Sequence, residues 1–169
     1  MKKVVHPLFL SIFLFIGLSA CTQKYGIYKA NAYLRESSRG TQMVNEANQP
    51  VGSTRVTENL LYIETRLNKT PQFTYAWIEG KPYAIQLQKV EAGTTIGTLK
   101  DSDKQAVLAA KEGRQLWQAM LTENREVRLD SVISGAVRAN PVVLTGTWKG
   151  KTFVYKIPNR IALESVLYQ

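Results

Sequence analysis

Cysteine and histidine are common nucleophiles, proton carriers and metal ligands, and each occurs once in this chain. Cys21 follows an apolar run at residues 8–18, and His6 lies before that run. A cysteine thiolate is a nucleophile and a metal ligand, and a thiol also accepts acyl groups. The surroundings of Cys21 therefore have to indicate which of these roles it has.

The first twenty residues have the pattern of an export signal. Lysines precede the run at 8–18, which is too short to cross a bilayer, since a spanning helix needs about 20 apolar residues. A positive start, a short apolar stretch and small residues at its end are typical of a secretory signal peptide. We therefore expect this N-terminal segment to be removed on export.

The segment Leu18-Ser19-Ala20-Cys21 resembles the lipobox of bacterial lipoproteins, in which an aliphatic and two small residues precede a cysteine. The resemblance implies diacylglyceryl transfer to the Cys21 thiol, cleavage between Ala20 and Cys21 that removes residues 1–20, and acylation of the new amino terminus, with chains such as palmitate. Two or more acyl chains anchor a protein durably, so the membrane would be a partner. Thr22 is not the aspartate that retains lipoproteins in the inner membrane. The resemblance thus implies the outer membrane, with the domain facing the periplasm or the cell surface.

Removal of residues 1–20 would leave no histidine, and the only cysteine would be acylated. Zinc sites of cysteine and histidine, and nucleophilic sites that depend on a histidine base, are then excluded. The sequence has no Ser-x-x-Lys arrangement, phosphate loop or dinucleotide motif. We expect no cofactor, no metal and no catalytic residue. Paired carboxylates, of which Glu123 and Glu126 are an example, keep a cell-wall glycan hydrolase as an alternative.

The charge of the chain suits an anionic partner. The formal net charge is +9, which favours acidic phospholipid, lipopolysaccharide or an acidic envelope protein. No nucleic-acid-binding motif is present, so we expect no nucleic acid partner. The lysines and arginines are scattered along the sequence, which favours an evenly solvated surface over a single binding patch.

Composition predicts one domain behind a tether. Residues 21–53 are polar and rich in Gly, Asn, Pro and Ser, which predicts a tether with a short helix at Tyr28–Glu36. The tyrosines of this segment leave open the alternative that it packs against the edge of the domain. Residues 54–169 are predicted to form a single globular domain, long enough for a hydrophobic core.

Periodicity predicts the elements of that domain. Alternating apolar residues predict strands at 58–68, 73–78, 83–90, 126–133, 142–148 and 151–157, with a further short strand at 94–99. Ser102 and Gln105 form a capping box before apolar residues at helical spacing, which predicts the main helix, Ser102–Asn124. The fold class is then α+β: a mostly antiparallel twisted sheet of about six strands with one helix on one face. A small open β-barrel with the helix is the alternative.

Two predicted hairpins resemble each other. Trp77 precedes a turn that ends at Lys81, and Trp148 precedes a turn with Lys149 and Lys151. Exposed tryptophans and lysines at both tips would form a candidate partner-binding site. Ordinary hairpin chemistry accounts for the same residues, because cross-strand aromatics stabilise sheets without any ligand.

These features predict a non-catalytic binding or accessory module held at the outer membrane, in envelope assembly, secretion or a surface complex. A periplasmic carrier of lipid or a small ligand is an alternative, and it requires an enclosed apolar cavity. The glycan hydrolase is a second alternative, and it requires two facing carboxylates about 5–9 Å apart.

Overall fold

The computed structural model of the chain describes residues 24–39, 45–47 and 55–168. Cys21, the predicted signal peptide and its cleavage site lie outside the described residues. The described chain is mostly strands with one short helix, and its main sheet curls into a half-barrel. This architecture fits the predicted α+β class and equally its open-barrel alternative, although six strands was too few.

The structure contains eleven strands and one helix in the described ranges. They are β1 (Ile27–Arg39), β2 (Arg55–Arg66), β3 (Gln72–Ile78), β4 (Lys81–Val90), β5 (Thr95–Thr98), β6 (Gln105–Val107), β7 (Arg114–Glu123), α1 (Ser131–Ala139), β8 (Val142–Trp148), β9 (Lys151–Ile157), β10 (Arg160–Ala162) and β11 (Val166–Tyr168). The main sheet has nine strands in the order β10-β1-β2-β7-β4-β3-β8-β9, and β11 also pairs with β1. The short strands β5 and β6 form a separate hairpin.

The concave face of the half-barrel holds the main core. In strands, alternate residues point to the same face, and directly paired residues share that face. The register therefore places Ala32, Leu61 and Ala119 in one row across β1, β2 and β7. Leu144 of β8 and Phe153 of β9 meet them from the other side of the curl, and all five are nearly inaccessible to solvent. Burial of one large apolar side chain contributes about 1.5–3 kcal/mol, so this row is a principal source of stability.

Two elements cover the convex face. The hairpin β5–β6 packs Ile96 and Ala106 over Tyr62 of β2 and Leu116 of β7. Helix α1 places Val137 over Trp77 and Val143 of β3 and β8, in a separate cluster. The sheet is therefore buried on both faces beneath these two covers, which explains why its strands lack a simple alternation of apolar and polar residues.

The predicted main helix Ser102–Asn124 is wrong. Most of this stretch is β6 and β7, joined by a turn at which Gly113 has a φ of +76°. The Ser102 hydroxyl accepts a hydrogen bond from the Lys104 amide at 3.2 Å, as a helix cap would, but it does so in a turn. Both faces of β7 are packed, Leu116 outward and Ala119 inward, and this double burial imitates helical spacing.

The strand predicted at 126–133 is also wrong, because the helix of the structure begins there. Asp130 is the N-cap of α1, and its side chain accepts a hydrogen bond from the Val132 amide at 3.0 Å. Ile133, Ala136 and Val137 then share the face turned toward the sheet. Asn140 ends the helix just before β8.

The prediction of a tether at 21–53 with a helix at Tyr28–Glu36 is corrected where the structure describes it. Ile27–Arg39 is strand β1, which lies between β2 and the C-terminal strands. Tyr33 packs edge-on against Tyr62, with ring centroids 6.0 Å apart. The tyrosines therefore indicated packing, as the alternative interpretation held for this part of the segment.

The remaining predicted elements agree closely with the structure. The strands predicted at 73–78, 83–90, 142–148 and 151–157 correspond to β3, β4, β8 and β9. The described residues after β9 contain the short strands β10 and β11. Among the described residues, no helix has the length and apolar character needed to cross a membrane.

Candidate functional site

Four chain segments meet at one end of the half-barrel. They are residues 24–26 before β1, residues 66–71 between β2 and β3, residues 111–114 before β7, and residues 148–151 between β8 and β9. Because neighbouring strands of this sheet are mostly antiparallel, segments far apart in sequence arrive at the same end. We call these four segments the basic end, for the charges described below.

Backbone hydrogen bonds join these segments to one another. The Arg66 amide donates to the Gly26 carbonyl at 3.1 Å, and the Leu67 amide donates to the Gly113 carbonyl at 3.0 Å. Within the first segment, the Ile27 amide donates to the Lys24 carbonyl at 3.0 Å, which closes a tight turn. The first described residues therefore form a turn that is fixed against the next loops.

Gly26 links that turn to the β8–β9 hairpin. Its φ is +77°, in a region that only glycine occupies readily, and a Cβ there would lie 2.7 Å from the Trp148 indole. It would also lie 3.0 Å from the carbonyl oxygen of Lys69. Beside it, the Tyr25 ring stacks on Phe153, with centroids 5.0 Å apart. The first described residues are therefore held directly beside the hairpin that carries Trp148.

The basic end exposes a group of cations. Its exposed charged side chains include Lys24, Arg66, Lys69, Lys111, Lys149 and Lys151. Within the described ranges, none of these takes part in an ion pair. Arg114 is the exception at this end, because it forms a largely buried pair with Glu64 at 3.1 Å. Glu112 is an exposed acid in the same segments, so cations outnumber acids here.

Apolar groups accompany the cations. Leu67 is 48% exposed, one of the larger exposed apolar side chains of the described chain. The half-buried Trp148 lines a shallow cleft with Pro71, and the Lys149 ammonium lies 5.9 Å from the centre of the Trp148 ring. An exposed leucine, a partly exposed indole and several free ammonium groups are thus gathered on one surface.

Three arginines elsewhere in the described chain form ion pairs. Arg35 pairs with Glu58 at 2.7 Å, and Arg125 pairs with Glu123 at 3.0 Å. Arg160 of β10 pairs with Glu79 in the β3–β4 turn. Exposed cations without an ion pair, such as Lys81 and Lys156, also occur elsewhere. The basic end differs in that six of them lie on four adjoining segments.

The two hairpin tips that the sequence suggested as a joint partner site lie at opposite ends. Antiparallel pairing puts the β3–β4 turn, with Lys81, beside the start of β8, whereas Lys149 and Lys151 follow its end. Seven residues of β3 separate these ends, about 20 Å at 3.3 Å per residue. Lys81 is exposed, but Trp77 is only 2% exposed beneath α1. The structure therefore brings Trp148, Lys149 and Lys151 together and places Trp77 and Lys81 elsewhere.

Most of the basic end was missed by the sequence analysis. Arg66, Lys69 and Lys111 are dispersed in sequence, which suggested an evenly charged surface, and only the order of strands brings them together. A signal was nevertheless present, because each of them lies next to a glycine or proline or in a polar break between apolar stretches. In a mostly antiparallel sheet, every second connection between strands lies at the same end. Adding the charges of every second predicted connection would therefore have indicated the basic end.

The residues needed for the alternative functions are placed as follows. Glu123 lies on the surface, where the hydrogen bond from Arg125 lowers the pKa of its carboxyl. A glycosidase acid needs a raised pKa, so this environment does not favour Glu123 in that role.

A cleft of about 400 Å³ beside β1 is lined by Leu34 and Leu163 together with charged Lys100 and Asp101. It is open and charged, unlike the enclosed apolar cavity of a carrier.

Comparison with known proteins gives no assignment: the chain matches no protein-family model, no curated protein and no solved structure. In the described ranges 24–39, 45–47 and 55–168, no cluster of three potential metal-ligating side chains occurs. The features of this protein that bear on function are the sequence before residue 24 and the basic end.

Proposed function

We propose that the protein is a lipoprotein of the outer membrane, anchored through acyl chains on Cys21, and that its domain is a non-catalytic binding or accessory module of the cell envelope. The observation that carries this proposal is the lipobox-like segment ending at Cys21, three residues before the turn at Lys24. A domain that begins so close to the cysteine would be held directly at the membrane.

The position of the turn supports this proposal. The chain enters the domain at the basic end, beside Trp148 and Lys149. An anchored domain with exposed cations next to its anchor is suited to an anionic membrane, because such lipids attract lysine and arginine near the surface. A chain that entered at the opposite end, near Glu79, would hold the cations away from the bilayer.

A non-catalytic role is supported by the chemistry of the chain. After the predicted cleavage no histidine would remain, and the acidic residue with a perturbed pKa, Glu123, is shifted toward the ionised form by Arg125. Neither feature provides a proton donor near neutral pH. The half-barrel interior is filled by side chains such as Ile63 and Phe153, so the domain is suited to binding through its surface.

The anchor is tested by metabolic labelling with a palmitate analogue. We expect label on the wild-type protein and none on the Cys21→Ala variant. The Thr22→Asp variant is the matched control: it should keep the label, and by the resemblance to lipoproteins it should move from the outer to the inner membrane fraction. Unlabelled wild-type protein would contradict the proposal.

The binding role is tested by photocrosslinking in the native cell. A photoreactive residue in place of Lys81, at the end away from the anchor, should yield an adduct with another envelope protein. The same residue in place of Lys149 should yield little protein adduct, because that side would face lipid. Absence of protein adducts from either position would contradict a role as a protein-binding module.

A further inference from the structure

We infer that the basic end is itself a membrane-contact surface, which seats the domain upright on the anionic phospholipid headgroups of the membrane that holds its acyl chains. The inference rests on the proposed lipoprotein function and deepens it. The anchor alone would let the domain rotate freely, whereas this surface would fix which side faces the bilayer.

Chain length brings the surface to the bilayer. The three peptide links from Cys21 to Lys24 span at most about 10 Å when fully extended. The turn at Lys24 is joined to Arg66 by a hydrogen bond and packed against Trp148, so it cannot swing away from the other segments of the basic end. An acylated Cys21 would therefore keep this turn, with the loops that are bonded to it and packed against it, close to the headgroups of the membrane.

The composition of the surface matches that layer. Lysine and arginine attached to long apolar stems place their charges at headgroup phosphates while the stems contact less polar groups. Trp148 and Leu67 supply an amphipathic ring and an exposed aliphatic side chain between the cations. Tryptophan is enriched at membrane–water interfaces because its ring has an apolar body and a polar N–H. An acidic protein would satisfy the charges, but it would not require the anchor to be adjacent.

The test measures binding to vesicles without the acyl anchor. The probe is the mature-length chain, residues 21–169, with Cys21→Ala, and the vesicles are phosphatidylcholine alone or mixed with phosphatidylglycerol. We expect binding to the mixed vesicles only, and weaker binding as salt is raised. Equal binding to both vesicle types, or none to the anionic ones, would overturn the inference.

Matched variants locate the contact. Lys149→Gln with Lys151→Gln should weaken binding to the anionic vesicles by about 30-fold, because each lysine near such a surface contributes about fivefold. Lys81→Gln with Lys156→Gln has the same net charge, but both residues lie more than a Debye length of about 10 Å from the basic end, so binding should change by less than about twofold. Equal losses in the two pairs would overturn the inference, since the net charge alone would then explain binding.

Orientation has a separate readout. In the chain without Cys21, a cysteine introduced at Leu67 and labelled with an environment-sensitive dye should shift to shorter wavelength on anionic vesicles. The same dye at Asn159, next to Arg160 at the Glu79 turn, should not shift. A shift at both sites would mean that the domain has no preferred side. Because none of these measurements uses the acyl group, their outcome is independent of whether labelling finds Cys21 acylated.

Discussion

The contact between Gly26 and Trp148 gives a sharp prediction for Gly26→Ala. An alanine at this position must adopt a φ of +77°, and its Cβ would lie 2.7 Å from the Trp148 indole. Gly80 in the β3–β4 turn has a similar φ of +82°, but nothing lies within 4 Å of the Cβ that would be added there. Comparing Gly26→Ala with Gly80→Ala therefore separates the free-energy cost of the left-handed backbone conformation from that of the steric overlap.

The expected magnitudes follow from that difference. A left-handed backbone conformation costs a residue other than glycine about 1–2 kcal/mol, which applies to both variants. Gly26→Ala must in addition displace the Trp148 ring, and overpacking costs about 1–3 kcal/mol more. The free energy of unfolding should therefore fall by about 2–5 kcal/mol for Gly26→Ala and by about 1–2 kcal/mol for Gly80→Ala.

Urea denaturation of the mature-length chain, followed by tryptophan fluorescence, measures both variants. A double-mutant cycle with Trp148→Ala completes the test, because removing the ring should reduce the cost of Gly26→Ala toward that of Gly80→Ala. If the two glycine variants lose equal stability, or if the cycle shows no coupling, the packing of the entry turn against the hairpin is refuted.

Other changes test the sheet and its charges by the same denaturation measurement. Gly146→Ala should lower the free energy of unfolding by about 3 kcal/mol or more, because the added Cβ would overlap backbone atoms of β3. A much smaller loss of stability would contradict the close approach of β3 and β8. Burial raises the pKa of Tyr62 above 10.0, so above pH 10.0 the unfolded chain releases a proton that the folded chain keeps. The free energy of unfolding should then fall as the pH rises above 10.0, and it should fall less steeply in the Tyr62→Phe variant. Equal slopes in the two proteins would show that Tyr62 does not cause the fall. Glu64→Gln should lower the free energy of unfolding by about 1.5–3 kcal/mol, because it weakens the hydrogen bond from Arg114. The exposed control Glu91→Gln should lower it by less than about 0.5 kcal/mol. Equal losses in the two variants would contradict the pairing of Glu64 with Arg114.

The hairpins could be predicted from sequence because their signals are local. Trp77 and Tyr83 flank one turn and Trp148 and Phe153 flank the other, so strand alternation and turn residues agree over short stretches. Residues 114–123 were misread because β7 is packed on both sides, and the resulting apolar pattern has no period of two. That pattern depends on the β5–β6 hairpin, which covers β7 from outside and is not visible in the sequence of β7 itself.

The helix was misplaced although a local signal existed. Asp130 before Ser131, with Ile133, Ala136 and Val137 at helical spacing, is an N-cap followed by an apolar face. The alternation from Val127 to Ile133 overlapped this signal, since Val127 and Leu129 also pack in the cluster beneath the helix. The basic end could not be predicted in the same way, because its residues become neighbours only through strand order.

The pairing of β1 has a consequence for the order in which the chain can fold. One side of β1 pairs with β2, but its other side pairs in parallel with the final strands, Ala32 with Arg160 and Ser37 with Val166. During synthesis, this second edge of β1 keeps unpaired amide and carbonyl groups until residues 160–168 have been made. A chain that ended before residue 160 would keep that bare edge and would be prone to intermolecular β-pairing.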